Sequence, residues 1–496
     1  MLDCSDFNGI DLVSDRSYVP VDKLAWCDNW MPFGKGKLLP LPASNPAFYN
    51  ANALGKTIWS FDFFELNGVN FVIVFHTDGS SIVLNLASAA DVGSQAAGTY
   101  ATGGNQHPQV SGWGGTQGLV VSPVVGGGNG YYSFNGTAFT GYPISGNTIE
   151  TYGNRVWIAF GRIVSFTAAA SYSDFTTADG GGTFPSYDGL LRDSYLKLIQ
   201  SIGNLYEFGD SSIAYIAGVQ TSSTTPPVTT FTNQNIDPQT GTLWPDTVKT
   251  YGRAIIFANQ FGVHILYGGT VDKISTELDS IFADARTQAA VAANTVYTPS
   301  AAVVTLNGRR CYSLLLPVFN PIAQAVINTM LIWDGKRWFS STQIINDTGA
   351  TALPILWINQ TEQNSQLSSW ATDGEKLYQL FVNPPGTGKG TPLNYQMQTK
   401  LWYDPNAFTS KNIIRLYMVV RDGYSPSNSL YYTLDNETTY NEGLTSSFVL
   451  GINSPLALYY YDVNLAGHQV GITISTSAPI TLVSVSLGIR HYRVIV

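Results

Sequence analysis

Charge is what this 496-residue sequence has least of: Asp, Glu, Lys and Arg make up 12% of it, about half of the roughly 25% usual in soluble domains. A surface so poor in charge falls to Ser, Thr, Asn and Gly, which suits an exterior that neighbours partly cover. Lys and Arg number 25 against 34 Asp and Glu, a formal net charge of −9. No basic stripe stands out that could neutralise phosphates, which argues against sequence-reading contact with DNA. An acidic wall could still let a duplex slide past. Cysteine is scarce too: Cys4, Cys27 and Cys311 are an odd count without C-x-x-C spacing, which argues against a disulfide framework or a zinc site. The five histidines, His76, His107, His264, His468 and His491, show neither H-x-H nor H-E-x-x-H spacing, so no metal is expected. The first ten residues include Asp3 and Asp6 in place of a basic start and apolar stretch, and no run of 18 apolar residues follows. Neither a signal peptide nor a membrane span is expected, and the chain is read as made in a cytoplasm.

What is abundant is Gly (48), Tyr (28), Phe (24) and Trp (11), the composition of many short, tightly turned strands. Residues 1–50 carry Pro20, Pro32, Pro40, Pro42 and Pro46 without a sustained period and read as an irregular docking arm. Strand signals start at Ile58-Trp59-Ser60-Phe61, turn at Asn67-Gly68 into an apolar run, and turn again at Asp78-Gly79. Related turns recur. Thr77-Asp78-Gly79 is echoed by Thr372-Asp373-Gly374, and Phe134-Asn135-Gly136 by Trp333-Asp334-Gly335, the latter closing on Trp338. Aromatic-flanked Asx-Gly turns at such intervals predict an all-β chain with a β-propeller over 51–385, Asp78, Gly79, Asn135, Gly136, Asp334, Gly335, Trp338, Asp373 and Gly374 being structural turn residues. A Ser/Thr/Pro-rich loop at 220–232 and one inserted helix at 271–293, with Ile274, Leu278, Ile281, Phe282 and Ala285 on one face, make an insertion of about 220–295. After a Pro-Gly-rich break at 383–393, further strands predict a β-sandwich-like platform over 386–496, whose last strand could instead close the ring.

Candidate chemistry is thin. Pro384-Pro385-Gly386-Thr387-Gly388-Lys389 looks like a phosphate-binding loop, but Asn383 replaces its first glycine and Gly390 the Ser or Thr after the lysine. Thr177-Ala178-Asp179-Gly180 resembles the Asp-box turn of sialidase propellers, which is itself structural. The clusters Asp62 with Glu65, and Asp272, Glu277 and Asp279, read as solvated charges more simply than as acid/base pairs. The sequon-like triplets Asn135-Gly136-Thr137 and Asn346-Asp347-Thr348 mean nothing without secretion. No catalytic, cofactor-binding or metal-binding residues are proposed, and no enzymatic activity is expected.

Cys27-Asp28-Asn29-Trp30-Met31-Pro32, followed by Gly34-Lys35-Gly36-Lys37-Leu38-Leu39-Pro40-Leu41-Pro42, resembles the N-terminal signature of podovirus tail-nozzle proteins, also called packaged-DNA stabilisation or tail-hub proteins. Ala43 stands where that family usually has glycine. Gly209-Asp210-Ser211-Ser212-Ile213, Arg309-Arg310-Cys311-Tyr312-Ser313-Leu314-Leu315-Leu316-Pro317, and Leu331-Ile332-Trp333-Asp334 with Lys336-Arg337-Trp338 add to the likeness. The resemblance implies a bacteriophage structural protein of the virion, forming a homo-oligomer, a hexameric ring, below the portal and its head-to-tail adaptor. It would bear tail fibres or a tail needle, close the DNA channel after packaging and pass genomic double-stranded DNA without sequence preference during ejection. The alternative is a carbohydrate-binding or glycan-hydrolysing propeller of a phage receptor-binding protein.

Overall fold

The computed structural model describes residues 2–4, 7–13, 15–33, 36–102, 106–122, 130–186, 191–294, 296–342, 344–345, 353–363, 366–385, 394–403, 409–421, 429–436, 445–449, 457–467, 469–477 and 479–493. The loop at 386–389, the triplet 346–348, Gly34, Lys35 and His468 lie outside them, as do the side chains of Cys4 and His491. From residue 58 onward the strands form where alternation and Asx-Gly turns predict them. Val69–His76 and Ser81–Asn85 are buried on both faces for most of their length. Sheet covered on both sides accepts a continuous apolar run where a half-exposed strand would alternate.

Six free-standing four-stranded antiparallel sheets span 58–95, 109–142, 148–185, 197–237, 249–273 and 357–380; a seventh four-strand unit, 300–341, sits between the last two and runs on into a ten-stranded sheet. They are numbered here as blades 1 to 7 in chain order. The inner strand of blade 1 (Ile58–Leu66) packs on those of blade 2 (Gln109–Trp113) and blade 7 (Trp357–Gln363). Blade 2 packs on blade 3 (Thr148–Tyr152), blade 3 on blade 4 (Lys197–Ser201), blade 5 (Lys249–Tyr251) on blade 6 (Ser300–Leu306), and blade 6 on blade 7. Blades 4 and 5 meet through Phe208, Ile213, Ile255 and Phe257. The chain is thus an all-β propeller whose blades are glued by apolar and aromatic side chains between successive sheets.

Four expectations need correction. Residues 1–50 are no peripheral arm. Trp26–Asp28 pairs antiparallel with Tyr395–Gln398 and, through Asp28 opposite Ser340, parallel with the outer strand of blade 6, Trp338–Ser341. Tyr49–Asn50 supplies the fourth strand of blade 7 by pairing with Lys376–Leu380, so the ring is closed by the N-terminal segment and not by the last strand. The platform, secondly, is not separate. Tyr395–Gln398, Gln469–Thr476, Ser429–Asn436 and Thr445–Val449 continue the sheet of blade 6, and a second sheet of Leu2–Cys4, Thr481–Arg493, Thr409–Arg421 and Ala457–Gly467 faces them. Leu416, Met418, Ile472, Ile474 and Val485 share one core with Leu314 and Leu331 of blade 6. Strands expected at 480–487 and 491–496 are the single strand Thr481–Arg493.

Thirdly, the stretch 220–232 is a hairpin of blade 4: Ile213–Thr221 pairs with Thr229–Asp237, because its threonines are good strand formers. The insertion shrinks accordingly, since 249–273 is blade 5. Lastly, the helix expected over 271–293 begins only after blade 5 ends at Lys273 and divides into α1 (Asp279–Ala283) and α2 (Ala285–Ala293). Asp284 is the reason. Its extended backbone (φ −68°, ψ 120°) ends α1, and its carboxylate caps α2 by accepting from the backbone N–H of Arg286 and Thr287.

Trp30 shows how firmly the N-terminal segment is held: it is fully buried, and its Nε1 donates to the carbonyl of Ile480 at 2.9 Å. Trp30→Ala is expected to lower stability by about 3–5 kcal/mol, read as a drop in the urea midpoint followed by intrinsic fluorescence. A midpoint shift no larger than that of an exposed control such as Tyr18→Ala would mean that the segment is not part of the core.

Candidate functional site at the propeller axis

The turn residues singled out in the sequence lie at blade edges and do what their chemistry allows. Asp78 Oδ1 accepts from the Ser80 N–H at 2.9 Å, and Asn135 Oδ1 from Thr137 and Ala138 at 3.0 and 2.9 Å. Asp334 Oδ1 accepts from Lys336 and Arg337 at 3.0 and 2.7 Å, and Asp373 Oδ1 from Glu375 and Lys376 at 2.9 and 2.7 Å. These are Asx turns. Gly79, Gly136, Gly335 and Gly374 follow with φ of 78°, 101°, 95° and 89°. At Gly79 a Cβ would also stand 2.5 Å from the carbonyl oxygen of Tyr100. Trp338 is buried and donates to the carbonyl of Ile274 at 2.9 Å. The four turns belong to different blades and converge on no common site.

The other sequence candidates also stay apart. Thr177–Asp179 forms a turn before the outer strand of blade 3, with Thr176 Oγ1 donating to Asp179 at 2.9 Å. Glu277 pairs with Lys23 and Asp279 with Lys273. His76 hydrogen-bonds Tyr49 and Ser80 in the closing region of the ring, and burial pushes its pKa down to about 4. Burial likewise pushes His264 in blade 5 down to about 4. Among the described residues no three His, Cys, Asp or Glu side chains gather as metal ligands.

What does converge is the axis. His107, just before the inner strand of blade 2, is 1% exposed and lies against Trp59 of blade 1 and Trp357 of blade 7, ring centroids 4.8 and 4.1 Å away. Its Nδ1 is 3.0 Å from Asp246 Oδ2, ahead of blade 5, and its Nε2 is 3.1 Å from the carbonyl of Val296, ahead of blade 6. Trp59 Nε1 donates to the same carbonyl at 3.0 Å. One imidazole therefore ties five blades together. Both partners are acceptors, so the ring satisfies both only when each nitrogen carries a proton. A His–Asp pair whose other nitrogen is already bound to a backbone carbonyl has no free lone pair with which to activate a nucleophile.

Charged side chains of the inner strands form a second set of contacts along the same axis. Lys249 Nζ donates to Asn359 Oδ1 at 2.8 Å, and Asn359 Nδ2 to Asp62 Oδ1 at 3.1 Å, joining blades 5, 7 and 1. Lys197 Nζ donates to Gln109 Oε1 at 3.0 Å, and Ser111 Oγ to Glu150 Oε1 at 2.9 Å, joining blades 4, 2 and 3. Burial pushes the Lys249 ammonium down to about 8, against the pull of Asp62. Burial raises the Asp62 and Glu150 carboxyls, opposed at Asp62 by Lys249 and Lys197 and at Glu150 by the Thr151 N–H and Lys197. Asp62 is thus no solvated strand charge, as the sequence suggested, whereas Glu65 beside it is exposed. Two acids and two amines balance one another, and each finds polar partners within the ring.

His107, Asp246, Lys249 and Asn359 were not singled out in the sequence. The one available signal is local: Asp62, Glu150, Lys197 and Lys249 put a charge in strands that otherwise read as apolar or Thr-rich, and all four are inner strands. A further buried acid, Glu207 in blade 4, is fully enclosed beside Tyr195 and Asn233; burial raises it from 4.5 to about 8, with Asn233 and Tyr195 pulling it back.

No protein-family model matches the chain, and no curated protein does. Among solved structures it is similar to U3-55K (8% identity, TM-score 0.37, covering 66% of this chain and 96% of that one). It is also similar to the β-propeller domain of Cps50 (Swd1) from Myceliophteria thermophila (9%, TM-score 0.38, covering 66% and 96%) and to the C-terminal WD40 domain of Sif2 (10%, TM-score 0.37, covering 65% and 81%).

Two measurements probe this interior. His107→Ala leaves the Asp246 carboxylate buried without its partner and is expected to cost about 3–5 kcal/mol, seen as a lower urea midpoint; an unchanged midpoint would show that the axial contact carries no weight. For Glu207, the folded carboxyl titrates near 8 while the unfolded one titrates near 4.5. Its contribution is complete below the unfolded value and is lost as pH rises through about 8. Thermal melts between pH 5 and 9 should therefore show a decline with pH that Glu207→Gln flattens, and a decline of equal slope in the variant would assign it to other groups.

Proposed function

We propose that the chain is the structural subunit of a bacteriophage tail nozzle, a ring below the portal and adaptor that closes the DNA channel after packaging and conducts DNA during ejection. The observation that carries this reading is where the motifs of the tail-nozzle resemblance meet. Trp26–Asp28, Arg309–Asn320, Ala325–Trp333 and Trp338–Ser341 are strands of one continuous sheet joining the propeller to the C-terminal platform. A sheet without a break transmits load between the two halves through backbone hydrogen bonds, which suits a part that withstands packaged DNA. The formal charge of −9 suits a wall past which DNA slides without sticking. Because polar side chains fill the axis of each propeller, the conduit in this reading is a lumen enclosed by several subunits.

Light scattering and negative-stain microscopy of the purified chain, alone and with tail-deficient phage particles, test the proposal. Six-fold rings or attachment at the tail vertex are expected, and Trp338→Ala should impair ring formation by loosening blade 6. A monomer that ignores the particles and binds or cleaves host glycan would replace the nozzle with a receptor-binding propeller.

A further inference from the structure

Between α1–α2 and blades 5 and 6 the fold leaves a cavity of about 520 Å³, within the range of sites that take small organic ligands. Trp244, Phe282, Val291 and Leu316 wall it, and Leu243 and Phe261 stand at its edge 47% and 67% exposed. No charged side chain lines it. Most of its polar groups are already engaged: Thr287 Oγ1 accepts from the Phe319 N–H at 3.2 Å, Gln288 Nε2 donates to the Phe282 carbonyl at 2.7 Å, and Asn294 Oδ1 accepts from the Tyr297 N–H at 3.0 Å. Thr298 differs. It is 6% exposed, lines the cavity, and its hydroxyl is buried without a hydrogen-bond partner. A hydroxyl withdrawn from water and left unpaired in an otherwise apolar wall is a recognition group waiting for its complement.

We propose that this cavity binds an uncharged ring carrying a single hydroxyl or amide, the ring packed against Phe282, Val291 and Leu316 and its polar atom hydrogen-bonded to Thr298. The same chemistry excludes phosphorylated or carboxylated ligands, whose charge would lose its water without gaining a partner. A phenol-like group meets the requirement whether it arrives as a free small molecule or as a tyrosine side chain of a second copy. The site does not depend on the nozzle reading.

Fluorine NMR of 4-fluorophenol with the full chain tests it, with 4-fluorobenzoate as the charged control. Saturable broadening by the phenol is expected, with the benzoate at least about tenfold weaker. Thr298→Val should weaken the phenol by about two- to tenfold, the range of one hydrogen bond, and Val291→Trp should abolish binding by filling the space. Phe261→Ser alters only the exposed rim and is expected to weaken binding while leaving the melting temperature unchanged, which separates loss of the site from loss of the fold. Equal binding of the benzoate, or full binding by Val291→Trp, would overturn the proposal. Sedimentation with saturating 4-fluorophenol then separates the sources, both of which support the site: dissociation of oligomers assigns the occupant to a neighbouring copy, and an unchanged distribution assigns it to a free ligand.

Discussion

A three-residue strand, Trp26–Asp28, is the joint on which the rest of the molecule depends. It occupies the gap between blade 6 and the C-terminal platform, and without it the ten-stranded sheet would be two sheets. Side chains reinforce the joint. Asp28, 1% exposed, accepts from Ser340 Oγ and the Thr342 N–H, both at 2.9 Å, and Asn29 donates to the Asn394 carbonyl at 2.6 Å. Burial raises the Asp28 carboxyl to about 6 even though Thr342 and Ser340 pull it down. A carboxylate held at such cost is better understood as fixing the register of a short strand than as adding stability.

The axis follows a similar logic. Inner strands of a propeller converge, and large apolar side chains from seven directions would collide there, whereas Lys, Asp, Glu, Asn and Gln reach across to one another with directional bonds. Those bonds fix which blade faces which, while the apolar and aromatic layers between blades supply most of the cohesion. Two kinds of contact thus divide the labour: non-directional burial between sheets, and a polar set at the centre that admits one arrangement.

Much of the blade architecture was legible in the sequence because its signals are local. Asx-Gly turns specify φ above zero within two residues, and the apolar run Val69–His76 announces a strand covered on both faces. What escaped was non-local. Trp26–Asp28 and Tyr49–Asn50 are too short and too close to prolines to show a period, and their meaning lies in partners hundreds of residues away. Asp284 looked like one more helical residue, although its backbone splits the helix. Asp62 looked solvated, although the ring turns it inward. The axial constellation was illegible for the same reason: His107, Asp246 and Val296 are far apart in the chain, and only closure of the ring brings them within 3.1 Å.

The closing strand of blade 7 also sets a timetable. Asn45 Nδ2 reaches Gln379 Oε1 across 334 residues of chain, and Tyr49 finds its partner only once Leu377 has left the ribosome. Throughout synthesis of the six preceding blades the segment around Tyr49 is an unsatisfied edge-seeker, and blade 1 lacks its neighbour on one side. Contacts of such long sequence separation form slowly and leave strand edges open in the interval. Any need for a chaperone should therefore fall late in synthesis, ending when the ring snaps shut.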